Sequence, residues 1–280
     1  MPEMPEVETV RLGLKPVLEG RVLKRVVLRR ADLRLPFPPG FRAALEGRRV
    51  QAVDRRGKYL LFRLDGGLAL IAHLGMSGRF RVHKRAPPPP GKHDHVVFET
   101  DHGVQVYYHD PRRFGLMTLA REKELDRHRL LAGMGPEPLN DFVDGAYLAA
   151  RLKGRGCSVK AALLDQGVIA GIGNIYASEI LFRSGISPRR AAASIKGARA
   201  RRLAQAIKEV LSEAVAAGGS SLRDHRAPDG GLGYFQQRLA VYGRAGEPCP
   251  DCACDPARTG GVRRLVQSGR STFYCANRQR

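Results

Sequence analysis

A chain of 280 residues that is 43% apolar can bury a real core, as one large domain or two ordinary ones, and is not a disordered chain. No apolar run reaches the roughly 18 residues a membrane-spanning helix needs. The opening MPEMPEVETV is acidic and lacks the apolar stretch of an export signal. Forty-eight Lys and Arg against 27 Asp and Glu leave a net charge of +21, which points to a polyanion, and with no membrane segment to nucleic acid.

The chain opens with an amphipathic helix. Val7, Val10, Leu14 and Val17 recur at helical spacing within Glu3 to Val17. From Arg21 to about Leu119 the pattern changes to short apolar stretches separated by Gly, Pro and Asp. Strands are predicted over Arg21–Leu28, Tyr59–Leu64, Leu68–Leu74, His95–Glu99 and Val104–His109, with Asp65-Gly66-Gly67 as a hairpin signal. Pro87 to Pro90 form an exposed loop. This half therefore reads as a β-sandwich or barrel behind a helix. Gly133 to Asn140 reads as a linker. Helices are predicted beyond it over Gly145–Leu152, Val159–Leu164, Asn174–Phe182 and Lys196–Ala217, the last stopped by Gly218-Gly219. Ser220 to Tyr242 is polar and Gly-rich, and the tail from Pro248 carries cysteines. The expected boundaries are 1–132, a linker at 133–144, 145–243 and 244–280.

Several groups of residues carry chemistry. Removal of Met1 would expose the secondary amine of Pro2, and an α-amine titrates near ~8, so part of it is a neutral nucleophile at pH 7. Such an amine attacking a sugar C1′ gives a Schiff base. Glu3 and Glu6, three residues apart on one helix face, offer an acid/base pair. The same residues also suit an ordinary helix start, with Pro at its first position and acids at the positive end of the dipole. In the tail, Cys249-x2-Cys252 followed by Cys275 has zinc-knuckle spacing, but position 278 is Arg278, so Cys254 is the spare thiol for a fourth ligand. The alternative is a finger held by hairpin packing alone. Of the five cysteines, four lie in this tail, which argues for a metal site and a reducing compartment over a disulfide framework. Arg258, Arg263, Arg264 and Arg270 make the hairpin basic. Gly171-Ile172-Gly173-Asn174 before a helix either binds a phosphate or caps the helix. Asp110-Pro111-Arg112-Arg113-Phe114-Gly115 presents guanidinium groups and a ring on a turn, suited to filling the gap left by a flipped base. Met76, on a Gly-flanked strand end, has core packing as its ordinary role.

Together these segments resemble the bacterial formamidopyrimidine-DNA glycosylases, the 8-oxoguanine DNA glycosylase/AP lyases. The resemblance runs through Pro2-Glu3-Met4-Pro5-Glu6-Val7-Glu8, Arg56-Gly57-Lys58-Tyr59-Leu60, His73-Leu74-Gly75-Met76-Ser77-Gly78, Lys92-His93-Asp94-His95 and Asp110 to Gly115. It continues through Gly171 to Glu179, Gly218 to Asp224, Tyr234-Phe235, Val241 to Arg244 and Gly269 to Cys275.

The resemblance implies an α+β multidomain protein. An N-terminal helix plus β-sandwich domain would precede a C-terminal helix-two-turn-helix domain with a zinc-finger-like β-hairpin. It implies Pro2 as nucleophile, Glu3 as acid/base with Glu6 supporting it, Lys58 as a second proton donor, and Arg270 as the phosphate ligand for δ-elimination. His93, Arg112, Lys160, Asn174 and Tyr176 would contact DNA. Met76, Arg112 and Phe114 would fill the void. Ser220, Ser221, Arg223 and Tyr234 belong to an implied lesion-capping loop. Cys249, Cys252, Cys254 and Cys275 would hold one zinc per chain.

The expected partner is double-stranded DNA carrying an oxidised base or abasic site, bound by a monomer in the bacterial cytoplasm without membrane association. The expected activity is release of oxidised purines followed by β,δ-elimination. Two alternatives are an endonuclease VIII-type enzyme for oxidised pyrimidines and a non-catalytic damage binder. Met4 favours the purine type, since the sister type usually has Gly at that position, and intact Pro2, Glu3 and Lys58 argue against the binder.

Overall fold

The computed structural model describes residues 1–140, 142–221, 226–252 and 255–280. Two compact units emerge: residues 1–133 with 217–236, and residues 134–216 with 237–280. The polar segment after Gly218-Gly219 thus returns to the N-terminal unit, whereas the sequence suggested grouping it with the preceding helices.

The first unit opens with α1 (Met4–Leu18), followed by eight strands: β1 (Leu23–Leu28), β2 (Val50–Arg56), β3 (Tyr59–Leu64), β4 (Leu68–His73), β5 (Arg79–His83), β6 (Asp94–Thr100), β7 (Gln105–His109) and β8 (Leu116–Arg121). They form two four-stranded antiparallel sheets, ordered β1-β6-β7-β5 and β2-β3-β4-β8. Inward side chains of both sheets, including Phe62, Phe80, Phe98 and Tyr108, share one core with Val7, Val10, Leu14 and Leu18 of α1. The sandwich follows from this alternation, each strand giving one apolar face to the common interior. The Asp65-Gly66-Gly67 link is a single 3₁₀ turn, and both glycines adopt positive φ (69° and 69°).

The second unit holds α2 (Gly145–Leu152), α3 (Val159–Leu164), α4 (Asn174–Arg183) and α5 (Ala198–Ala216), then the hairpin β9 (Val262–Gln267) and β10 (Arg270–Cys275). Asp144 and Ser158 cap α2 and α3 by accepting from Tyr147 and Ala161 N–H groups. Residues near the start of this unit are packed rather than a bare connector: Gly135 N–H donates to Gln166 O (2.8 Å) and Ala170 N–H to Pro136 O (2.9 Å). The chain enters the hairpin past buried Glu179 of α4. Its carboxylate accepts from the N–H groups of Ala240 (2.8 Å), Val241 (3.0 Å) and Tyr242 (2.8 Å).

Burial raises the Glu179 pKa against the lowering effect of these three donors. Removing a shared acceptor strands buried donors at about 1–3 kcal/mol each. Glu179→Ala should therefore destabilise the second unit by several kcal/mol, read as a lower urea midpoint.

Candidate active site

The N-terminus is set by α1. Pro2, Glu3 and Glu6 are buried, and the Glu3 N–H donates to Glu6 Oε2 at 2.8 Å. The other Glu6 oxygen accepts from Ser220 N–H (2.8 Å) and Ser220 Oγ (3.0 Å). Gly218 and Gly219 take positive φ (72° and 73°), and a Cβ at Gly219 would meet Glu6 Oε1 at 3.0 Å. This explains two successive glycines where the chain returns to α1. An isolated antiparallel bridge joins Ser220 to Tyr234, which closes the root of the returning segment. Pro228 O accepts from Val82 N–H at 2.8 Å. Ser221 is partly buried and Tyr234 exposed, while Arg223 lies outside the described residues.

Lys58 is buried in the turn between β2 and β3. A chain of polar contacts ties that turn to α1: Arg55 Nε donates to Glu8 Oε2 (2.8 Å) and Arg55 Nη1 to Gly57 O (3.0 Å). Arg11 completes the Glu8 pairing at 2.7 Å, and the two guanidinium groups hold the Glu8 carboxyl below its usual range against the cost of burial. Neither Glu8 nor Arg55 was marked by sequence pattern, because an acid inside an acidic helix start looks like a solvated charge.

Beside Lys58, the His73 ring lies 4.8 Å from that of Tyr59, tilted by 54°, and its Nδ1 accepts from Gly75 N–H at 2.9 Å. Burial first, then the charges of Lys58 and Arg34, lower His73 to about 4.

The wedge candidates stand on two loops. Met76 and Phe114 are 39% and 43% exposed, large apolar groups held in solvent. Arg112 lies over the Phe114 ring at 4.9 Å. Nearby, His93 makes edge-on contacts with His95 and His109 (6.3 and 5.9 Å). Asp94, almost wholly buried, accepts from His109 Nδ1 at 2.9 Å and from Arg81.

In the second unit, Lys160 is buried. Its Nζ donates to Asn174 Oδ1 (2.6 Å), Thr272 Oγ1 (2.7 Å) and Ser271 O (3.2 Å). Asn174 Nδ2 donates to Ser271 O at 2.9 Å. Lys160 and Asn174 therefore lock the start of α4 to the hairpin. Arg270 follows the two-residue turn Ser268-Gly269, whose φ values of 49° and 71° suit a type I′ hairpin, and it is exposed. Tyr176, in the first turn of α4, is fully buried.

In the tail, one sulfur each from Cys249, Cys252 and Cys275 lie within 4.8 Å of one another. Cys254 lies outside the described residues. Arg278 stands where a fourth ligand of matching spacing would be. It pairs with Asp251 at 3.0 Å and covers the Phe182 ring at 5.0 Å. Three soft sulfur donors fit a thiophilic metal ion.

The environment of His73 yields a pH prediction. Unfolded, the ring titrates near ~6.5; folded, it resists protonation until about 4. Between these values the unfolded chain binds more protons, so stability falls as pH drops from about 6.5 towards 4. His73→Asn should flatten that slope in urea titrations run across this range.

Comparisons with known proteins agree with these parts. Residues 1–117 match the formamidopyrimidine-DNA glycosylase N-terminal domain and residues 134–226 its H2TH domain. The formamidopyrimidine-DNA glycosylases of Rhodospirillum rubrum and Rhodospirillum centenum are 61% and 58% identical, with 100% of both chains covered. The crystal structure of the MutM (Fpg) protein of Thermus thermophilus superposes with a TM-score of 0.87 at 45% identity, covering 99% of this chain and 98% of that one. Lactococcus lactis Fpg in complex with abasic-site DNA gives 0.89 at 31% identity, with 99% of each chain covered. The chain belongs to the formamidopyrimidine-DNA glycosylase family.

Proposed function

We propose that this base-excision-repair glycosylase removes oxidised purines from duplex DNA through the amine of Pro2, freed by loss of Met1, and then nicks the strand. The observation that carries this is the buried Pro2-Glu3 start, fixed through Glu6. The Pro2 nitrogen attacks C1′ of the flipped nucleotide, and the glycosidic electron pair leaves with the base, which takes up a proton. Ring opening gives an iminium. Loss of a C2′ proton then expels the 3′ phosphate, and a second elimination expels the 5′ phosphate. Glu3 is the acid/base group at the sugar. Lys58 acts as second proton donor on the lesion side, and Arg270 holds a phosphate during δ-elimination. His93, Asn174 and the backbone at Tyr176 bind the DNA backbone, with Lys160 fixing Asn174. Residues 220–234 cap the extruded base.

Stacked B-DNA hides C1′ from any protein amine, so a nucleotide must leave the stack and something must fill its place. Met76, Arg112 and Phe114 do this, and Arg112 meets the acceptors of the orphaned cytosine. Lactococcus lactis Fpg has been solved with Fapy-dG-containing and abasic-site DNA, which supports the same substrates here. The monomer acts on double-stranded DNA in the bacterial cytoplasm. No helix among the described residues is long and apolar enough to cross a membrane.

The discriminating experiment compares excision from duplexes bearing 8-oxoguanine or thymine glycol. Preference for 8-oxoguanine is expected; preference for thymine glycol would favour the endonuclease VIII type. Pro2→Gly should lower base release and nicking together. An uncleaved N-terminal tag should abolish both, and full activity with the tag in place would exclude the terminal amine.

Cys249, Cys252 and Cys275, with Cys254 as fourth ligand, hold one zinc, which braces the hairpin that carries Arg270. Elemental analysis should find about one zinc per chain, lost more readily from Cys254→Ser. Zinc-free protein with full DNA affinity would show a finger that stands by packing alone.

A further inference from the structure

The three exposed wedge side chains come from two separate loops: Met76 from the loop between β4 and β5, Arg112 and Phe114 from the loop between β7 and β8. A wedge driven into a base stack works only if both loops hold their relative position under load. Buried groups beneath the tips supply this.

Asp110 is fully buried at the base of the second loop. Its Oδ1 accepts from Ser77 Oγ, in the first loop, at 2.6 Å. Its Oδ2 accepts from Gly115 N–H at 2.8 Å, which closes the 110–115 turn on itself. Ser77 Oγ in turn accepts from the backbone N–H of Arg112 at 3.1 Å. One hydroxyl thus donates to Asp110 and accepts from Arg112, joining the loops one residue from Met76 and at Arg112 itself. The backbone of Asp110 is fixed as well: its N–H donates to His93 O (2.9 Å) and its carbonyl accepts from His95 Nε2 (2.9 Å).

The two backbones also touch. A Cβ on Gly75, at φ +63°, would lie 2.2 Å from the carbonyl carbon of Phe114, and one on Gly115 would lie 1.7 Å from Tyr108 Oη. Glycine is needed at 75 because the two loop backbones approach closer than any side chain allows, and at 115 because the Tyr108 hydroxyl occupies the space a side chain would take. Arg113, between the two wedge residues, is held at φ 56°, a left-handed conformation that a non-glycine residue keeps only when its surroundings impose it.

We propose that Asp110 is a positioning residue for base extrusion, and that its bond to Ser77 makes the two wedge loops one rigid body. The inference rests on the wedge reading of Met76, Arg112 and Phe114. Asp110 touches no reacting atom. Its effect falls on the step that inserts the wedge and leaves the chemistry at C1′ alone.

The test measures single-turnover rates on a duplex with 8-oxoguanine opposite cytosine and on the same duplex with a preformed abasic site, with Phe114→Ala as reference. Ser77→Ala should slow excision by roughly tenfold or more, as expected of a misplaced positioning group. It should change abasic-site cleavage by less than about twofold, and Ser77→Thr, which keeps the hydroxyl, should restore excision. Asp110→Asn, which turns one acceptor into a donor, should behave as Ser77→Ala does. Equal losses on both substrates, or a Ser77→Thr as slow as Ser77→Ala, would overturn the proposal. Wild-type excision by Ser77→Ala alongside slow Phe114→Ala would overturn the coupling and leave the wedge standing. Wild-type excision by both would overturn the wedge and the coupling together.

Discussion

One carboxylate organises the N-terminus. Glu6 accepts the Glu3 N–H on one oxygen and the Ser220 N–H and hydroxyl on the other. An acid buried this deeply is tolerated only when its lone pairs are satisfied. The donors that satisfy it come from the first residues of the chain and from a segment more than two hundred residues later. The same contact holds the start of the chain still and brings residues 217–236 back to the first unit. A chain end without such a contact would fray, as termini do.

The rest of the polar architecture repeats this use of hydrogen-bonded charged groups to tie distant segments together. Glu8 and Arg55 tie the Lys58 turn to α1. Glu179 gathers three successive N–H groups where the chain enters the hairpin. Lys160 binds Asn174 to β10 next to Arg270. A basic surface alone would give affinity and register without base readout, since phosphate contacts carry no sequence information.

Sequence periodicity located the helices well. Residues 145–152 and 159–164 match, and 174–182 falls one residue short of the observed end at Arg183. Strands β2, β5 and β8 were not among those named in sequence: Val50–Arg56 and Arg79–His83 carry Arg, Asp and His on their outward faces, which dilutes the apolar signal, and Leu116–Arg121 lies at the edge of the strand-patterned stretch. Residue chemistry offered Pro2 as an amine nucleophile and Arg270 as part of a basic hairpin, but only the family resemblance favoured that reading of Pro2 over a helix start, which has the same letters, and gave Lys58 a role. The resemblance implied DNA contacts for Lys160 and Tyr176, yet both side chains are buried. Burial of a lysine depends on partners such as Thr272, 112 positions away, which no local pattern reveals. Asp110 and Glu179 were named only as members of longer segments, with no role of their own, for the same reason.

If the chemistry starts at the Pro2 nitrogen, the covalent bond to DNA forms there, and locating that bond is the most direct measurement. The protein, with Met1 removed, is mixed with an 8-oxoguanine duplex and borohydride, digested with protease, and the DNA-linked peptide identified by mass spectrometry. The account predicts a single adduct on the N-terminal peptide, reduced at the nitrogen of Pro2. An adduct on the Lys58 peptide, or on any other lysine, would contradict it.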